Sequence, residues 1–171
     1  ATAGLTHEPP QEQAVNTPVP LYVDLTADIA RKAKDVIVTY IGTGGGEYGI
    51  RGFIAAYDAN TGKEVWKFHN VPAPGEPGSE TWTGDSWKSG GGSIWVTGTY
   101  DPELNLTYWG TGNPGPDFNG RIRAGDNLFA TSMVAVEAAT GKYRWHFQQI
   151  HHDLWDYDGP SPVVLFDVMI N

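Results

Sequence analysis

Three separate stretches of the chain concentrate residue types that do chemistry. The first, Gly42-Thr-Gly-Gly-Gly-Glu-Tyr-Gly-Ile-Arg-Gly52, is a glycine-rich turn with one acid, Glu47, at its centre. It is not a phosphate loop, because no helix pattern follows and the lysine that would reach the phosphates is missing. Its glycines, Gly45 and Gly46 among them, instead let the backbone approach a flat ligand, while Glu47 would point a carboxylate inward. The second, Gly110-Thr-Gly-Asn-Pro114, holds an asparagine before proline, an ordinary turn signal. The amide oxygen of Asn113 is also a neutral hard ligand, and with Glu47 it makes half of an oxygen-rich site suited to calcium or a similar ion. The third is His151-His-Asp-Leu-Trp-Asp-Tyr-Asp158. Adjacent histidines on a strand point to opposite faces, so His151 and His152 are read as hydrogen-bonding or packing residues rather than as zinc ligands. Asp156 and Asp158, two apart on extended chain, face one side, and two carboxylates there repel unless a cation or a shared proton lies between them.

The composition describes the scaffold that must hold these residues. With 22 Gly, 12 Pro and 12% aromatics against 18% charged residues, 171 residues read as many short strands joined by turns around one core. A net charge of -9 without clustered Lys and Arg argues against nucleic acid as a partner. The absence of cysteine excludes thiolate zinc sites, iron–sulfur clusters and covalently attached c-type haem from this segment. No stretch approaches the roughly 18 apolar residues of a membrane span, and the first residues lack the basic-then-apolar pattern of a secretory leader. The chain is therefore expected to be a mature protein or a fragment.

Along the chain, a proline-containing opening is expected to run extended. Residues 24–34 (DLTADIARKAK) suggest a short helix capped by Asp24 or Thr26. Residues 36–41 (VIVTYI) and 52–57 (GFIAAY) read as strands. A repeat then becomes visible: AYDANTGKEVW, ending at Trp66, aligns with AVEAATGKYRW, ending at Trp145, 79 residues later. Each copy reads as strand, Thr-Gly turn and a strand carrying Trp, with Gly62 and Gly141 supplying a positive φ. Because a propeller blade takes roughly 40 to 50 residues, that spacing predicts two blade steps. The intervening blade would hold residues 93–100 and 106–110, and Trp66 and Trp145 would pack between blades.

This pattern resembles the tryptophan-docking repeat of the eight-bladed quinoprotein dehydrogenases, over residues 36–168. The second copy departs from it in having Glu137 where the motif has Asp, which predicts looser turn hydrogen bonds. The resemblance implies an all-β fragment of about three blades of an eight-bladed β-propeller, with residues 1–35 as an irregular leading segment and 36–171 as the partial ring. Glu47 in GGGEYGIRG, Trp95 in GGGSIWVTGTYDPELNLTYWGTGNP, Asn113 in GTGNP and Asp156 in HHDLWDYD occur in the order seen in methanol and ethanol dehydrogenases that use pyrroloquinoline quinone (PQQ). By that resemblance Glu47 and Asn113 ligate the metal, Trp95 is the floor on which PQQ stacks, and Asp156 is a metal ligand and the general base. Gly45 and Gly46 would approach the quinone, and Ser93 would hydrogen-bond its carboxylates. Asp158 stands where the calcium enzymes carry a small uncharged residue and the lanthanide enzymes carry Asp, so the metal is Ca²⁺ or a lanthanide ion.

The activity implied is oxidation of an alcohol to an aldehyde or ketone in the periplasm, with electrons passed to an external acceptor such as cytochrome c. Two other readings stay open. HHDLWD also resembles PQQ-dependent sugar or polyol dehydrogenases, and the repeat alone would suit a non-catalytic propeller that scaffolds membrane-protein assembly. Because further cofactor contacts of the family lie outside this segment, the isolated piece is expected to be inactive.

Overall fold

The computed structural model describes residues 37–41, 49–58 and 60–169. The expected helix over 24–34 and the expected leading segment lie outside the described residues. Seven strands follow one another: β1 (Ile37–Ile41), β2 (Phe53–Asp58), β3 (Glu64–His69), β4 (Thr99–Asp101), β5 (Leu106–Gly110), β6 (Ser132–Glu137) and β7 (Tyr143–Gln148). They form two antiparallel meanders, β1-β2-β3 and β4-β5-β6-β7. Both strands expected before the first repeat are present, β1 and β2, with ends within a residue or two of the sequence reading.

The two repeat copies are the β2–β3 and β6–β7 hairpins, and they superpose in register. Ala56 pairs with Trp66 and Ala135 with Trp145, and each hairpin carries a register shift one residue after its alanine. Gly62 and Gly141 turn at φ 68° and 67°. In the first turn Asp58 Oδ1 accepts from the backbone amides of Asn60 and Thr61 and from the Thr61 hydroxyl, at 2.8–3.0 Å. Those bonds, the Thr61 amide first, hold the Asp58 carboxyl below its ordinary pKa. In the second turn Glu137 takes only the Thr140 hydroxyl, at 2.7 Å, and the exposed Arg144 guanidinium, at 3.0 Å. The longer side chain reaches past the amides that Asp would bind, which is the looser turn the sequence suggested.

The separate intervening blade does not form. Residues 93–98 are irregular, and β4 and β5 pair directly into the sheet of β6 and β7, Tyr108 facing Ala135. The described residues therefore hold two sheets, and the 79-residue spacing is a single blade step. The extra length lies in two irregular connections, 70–98 and 111–131, rather than in another sheet.

Alternation along the strands explains the core. Ile54 and Ala56 of β2, Trp66 of β3, Trp109 of β5 and Val134 and Val136 of β6 bury one face each into a shared cluster with Ile94 and Phe129. That cluster joins the two sheets, and each of its isoleucine and valine side chains contributes about 1.5–3 kcal/mol by leaving water. Leu106, Tyr108 and Ala135 point the other way, where Val163 partly covers them. Trp66, 8% exposed, docks as expected: its Nε1 donates to Ala138 O at 3.1 Å, and its ring lies on the Gly141 turn of the next sheet. Trp145 holds the equivalent position in the second sheet but stays 40% exposed, its ring centroid 5.7 Å from that of Tyr108. Among the described residues no further sheet lies beyond it to receive the ring.

Candidate functional site

The two irregular connections bring three of the expected site residues together. Residues 90–93 run beside residues 112–115 through a ladder of short backbone bonds. Gly92 N donates to Asn113 O, Gly112 N to Ser93 O and Gly115 N to Gly90 O, at 2.8–2.9 Å. The same strip receives the end of the first glycine-rich stretch: Gly52 N donates to Gly91 O and Gly91 N to Ile50 O. Glu47, Gly45 and Gly46 lie outside the described residues, but the chain that follows them is thus tied to the segment leading into Ser93.

Ser93 and Trp95, at the start of the GGGSIWVTGTYDPELNLTYWGTGNP stretch, and Asn113, near its end, are neighbours in this strip. Gly112 is the contact point. A Cβ built there would come within 2.5 Å of the Trp95 six-membered ring and 2.9 Å of Ser93 O, so only glycine lets the indole lie on the backbone. Trp95 nevertheless keeps 44% of its surface exposed, presenting an aromatic face outward. The Ser93 side chain is fully buried, and its Oγ has no hydrogen-bond partner among the described residues. A buried hydroxyl without a partner costs about 1–3 kcal/mol, which a bound acceptor would recover.

Asn113 is buried, and its Nδ2 donates to the carboxylate of Asp117. A carboxylate only accepts, so the amide nitrogen must face Asp117 and the oxygen must face away from it. That orientation is the one a cation ligand needs.

The HHDLWDYD segment departs from the sequence reading in conformation. It is a turn followed by irregular chain, not a strand, and His152, Asp156 and Asp158 have φ of 48°, 61° and 52°. The inferences that the histidines face opposite sides and that the two aspartates share one face relied on extended geometry, which is absent. His152 does have the hydrogen-bonding role expected, with Nδ1 2.7 Å from Gly125 O, and His151 approaches Asp126 at 3.8 Å. Left-handed backbone at these three non-glycine residues costs of order 1–3 kcal/mol each, and such strain concentrates at functional sites. Among the described residues no three His, Cys, Asp or Glu side chains gather into a metal-holding group.

Sequence reasoning missed the residues that anchor this segment. Asp153 is buried; its Oδ1 accepts from Trp155 N at 2.8 Å, and its Oδ2 accepts from Tyr157 N and Thr131 Oγ1 at 3.1 Å. Thr131 N in turn donates to Gly112 O at 2.8 Å, which connects the segment to the Trp95 strip. Arg123 is 0% exposed. Burial pulls its pKa below the ordinary guanidinium value, while the neighbouring Asp153 and Asp117 charges oppose that pull. A surface concavity of about 590 Å³ is lined by residues including Phe118, Arg121, Asp126 and His152, and takes in none of Ser93, Trp95, Asn113 or Asp156.

Comparison with known proteins bears on this arrangement. Residues 12–171 match the family model described as "PQQ: Glucose/ethanol/alcohol dehydrogenase, beta-propeller domain". The chain is 44% identical over 147 residues to the quinohemoprotein alcohol dehydrogenase ADH-IIG of Pseudomonas putida, which covers 77% of this chain and 20% of that protein. It is 38% identical over 155 residues to the lanthanide-dependent methanol dehydrogenase of Methylacidiphilum fumariolicum, covering 80% of this chain and 25% of that one. Among solved structures, the quinohemoprotein alcohol dehydrogenase of Comamonas testosteroni matches with a TM-score of 0.72 and 40% identity, over 80% of this chain and 22% of that one. A europium-containing methanol dehydrogenase matches with a TM-score of 0.71 and 38% identity, over 78% of this chain and 26% of that one. The chain thus spans about a fifth to a quarter of the length of these relatives.

Proposed function

Since the chain belongs to the β-propeller-domain family of PQQ-dependent glucose, ethanol and alcohol dehydrogenases, we propose that it is the part of a periplasmic alcohol dehydrogenase that holds the metal, the stacking floor and the general base. The observation that carries this reading is the convergence of Ser93, Trp95 and Asn113 on one strip of backbone. A buried unpartnered hydroxyl, a half-exposed indole face laid on Gly112 and an amide oxygen turned away from Asp117 are the three donor types a flat, anionic, metal-bound quinone requires. These residues fit PQQ. Ser93 would donate to a carboxylate of the cofactor, Trp95 would support its ring system, and Gly45 and Gly46 would lie along it. Asn113, Glu47, Asp156 and Asp158 would hold the metal.

PQQ bound with its metal ion supplies the hydride acceptor through which an alcohol becomes an aldehyde or ketone. Asp156 holds the proton side of that change: its carboxylate takes the hydroxyl proton of the alcohol. Trp95 excludes water from one face of the site and fixes orientation. Asp158 decides the metal, because a trivalent ion favours one more carboxylate than Ca²⁺ requires. Alcohols are favoured over sugars as substrates, since the relatives compared are alcohol and methanol dehydrogenases. An external acceptor, for which a cytochrome c is the natural class, completes the cycle.

The test uses the full-length protein, reconstituted with PQQ and either Ca²⁺ or La³⁺ and supplied with a primary alcohol and an electron acceptor. The expected result is alcohol-dependent reduction of the acceptor, with Asp156→Asn lowering kcat by about 10²–10⁴-fold. Absence of turnover in the wild type, or full turnover in Asp156→Asn, contradicts the proposal.

A further inference from the structure

We propose that Arg123 is a positioning residue that fixes the loop carrying Asn113 against the loop carrying Asp156, and so sets the geometry of the cation site. The inference rests on the reading of those two residues given above.

Arg123 is fully buried, and each of its three side-chain nitrogens donates. Nε donates to Pro116 O at 3.0 Å, Nη1 to Asn127 Oδ1 at 2.7 Å, and Nη2 to Asp117 O at 2.7 Å and to Asp153 O at 2.5 Å. A guanidinium is a rigid plane whose N–H groups leave at fixed angles. Carbonyls of residues 116 and 117 on one loop and of residue 153 on another therefore cannot move independently while all are bound to it. Asn127 holds the plane in turn, its Nδ2 donating back to Arg123 O at 2.7 Å and to Thr81 O at 3.3 Å.

Each of the two loops passes the constraint on through a buried carboxylate. Asp117, whose carbonyl Arg123 holds, orients the Asn113 amide by accepting from its Nδ2. Asp153, whose carbonyl Arg123 also holds, grips the amides of Trp155 and Tyr157, the residues on either side of Asp156. One side chain thus stands behind both the amide oxygen and the carboxylate. Outer groups of this kind set the direction of metal ligands, and removing them typically weakens metal affinity by about 10–100-fold.

The test compares wild-type full-length protein with Arg123→Lys. Lysine keeps the charge but gathers its donors on one nitrogen, so it cannot span carbonyls of both loops. Two quantities are measured on the PQQ-free, metal-free protein: the Kd for Ca²⁺ and La³⁺ by calorimetry, and amide hydrogen exchange. The expected result is a Kd weakened by about 10–100-fold, with faster exchange at Trp155 and Tyr157 while the β6 amides keep their protection. An unchanged Kd in a wild type that binds cations overturns the role of Arg123 and leaves the function standing. Loss of protection in β6 to the same degree as in the loops also overturns it, because Arg123 would then be a general support of the fold. Failure of the wild type itself to bind either cation overturns both this inference and the metal-site reading beneath it.

Discussion

Gly112 shows at the residue scale how the site depends on backbone proximity. Its missing side chain is what lets the six-membered ring of Trp95 approach the backbone between Ser93 and Asn113. Gly112→Ala places a methyl group 2.5 Å from the indole, and backbone on the other side leaves no room to retreat. The indole must swing off its floor. PQQ affinity of the full-length apoprotein, titrated by absorbance, is expected to fall at least about tenfold, a loss of about 1.4 kcal/mol; unchanged affinity would separate Trp95 from the cofactor. The same scale shows what a sequence conceals. Asn113, Trp95, Ser93 and Asp156 stood out as candidates because motif order exposed them. Arg123 and Asp153 were not, since an isolated Arg or Asp in a polar stretch reads as a solvated residue, and only the fold reveals that each is buried and paired. A local signal did exist for the unusual backbone of HHDLWDYD: His and Asp are enriched among non-glycine residues at positive φ, and three of that segment's residues adopt it.

At the scale of elements, the docking of Trp66 onto the Gly141 turn is what makes one sheet the support of the next. Gly62 and Gly141 have nearly the same φ, yet a Cβ at Gly62 would meet nothing within 4 Å whereas one at Gly141 would meet the Trp66 ring at 2.3 Å. Gly62→Ala is therefore expected to cost only the left-handed backbone penalty, about 1–2 kcal/mol. Gly141→Ala adds overpacking and should cost about 2–4 kcal/mol. Denaturant unfolding of the full-length protein measures the difference, and equal costs would deny the docking. Hairpins of this kind were legible because everything that makes them is local: alternation, a Thr-Gly turn, a Trp at fixed offset. The error was in assigning residues 93–110 to a blade of their own. Pairing of β5 with β6 joins residues 23 to 31 apart across an irregular connection, and strand pattern alone does not say which neighbour a strand will choose.

At the scale of the molecule, two sheets fix where two long connections begin and end; the candidate residues Ser93, Trp95 and Asn113 lie on those connections, and Asp156 on the segment that follows β7. The exposed ring of Trp145 and the apolar residues from Val164 to Met169 are surfaces that other parts of a complete propeller would be expected to cover. The 171 residues alone, supplied with PQQ and metal, are accordingly expected to show no alcohol oxidation where the full-length protein does; turnover by the piece alone would mean that the cofactor site is complete within it.

The most direct test of the account is a crystal structure of the full-length protein with PQQ and Ca²⁺ bound. The account predicts the Asn113 amide oxygen at about 2.3–2.6 Å from the ion, with the Asp156 carboxylate at the same centre and the Trp95 indole flat against the cofactor ring. A metal held by other residues, with Asn113 and Trp95 remote from the quinone, would contradict it.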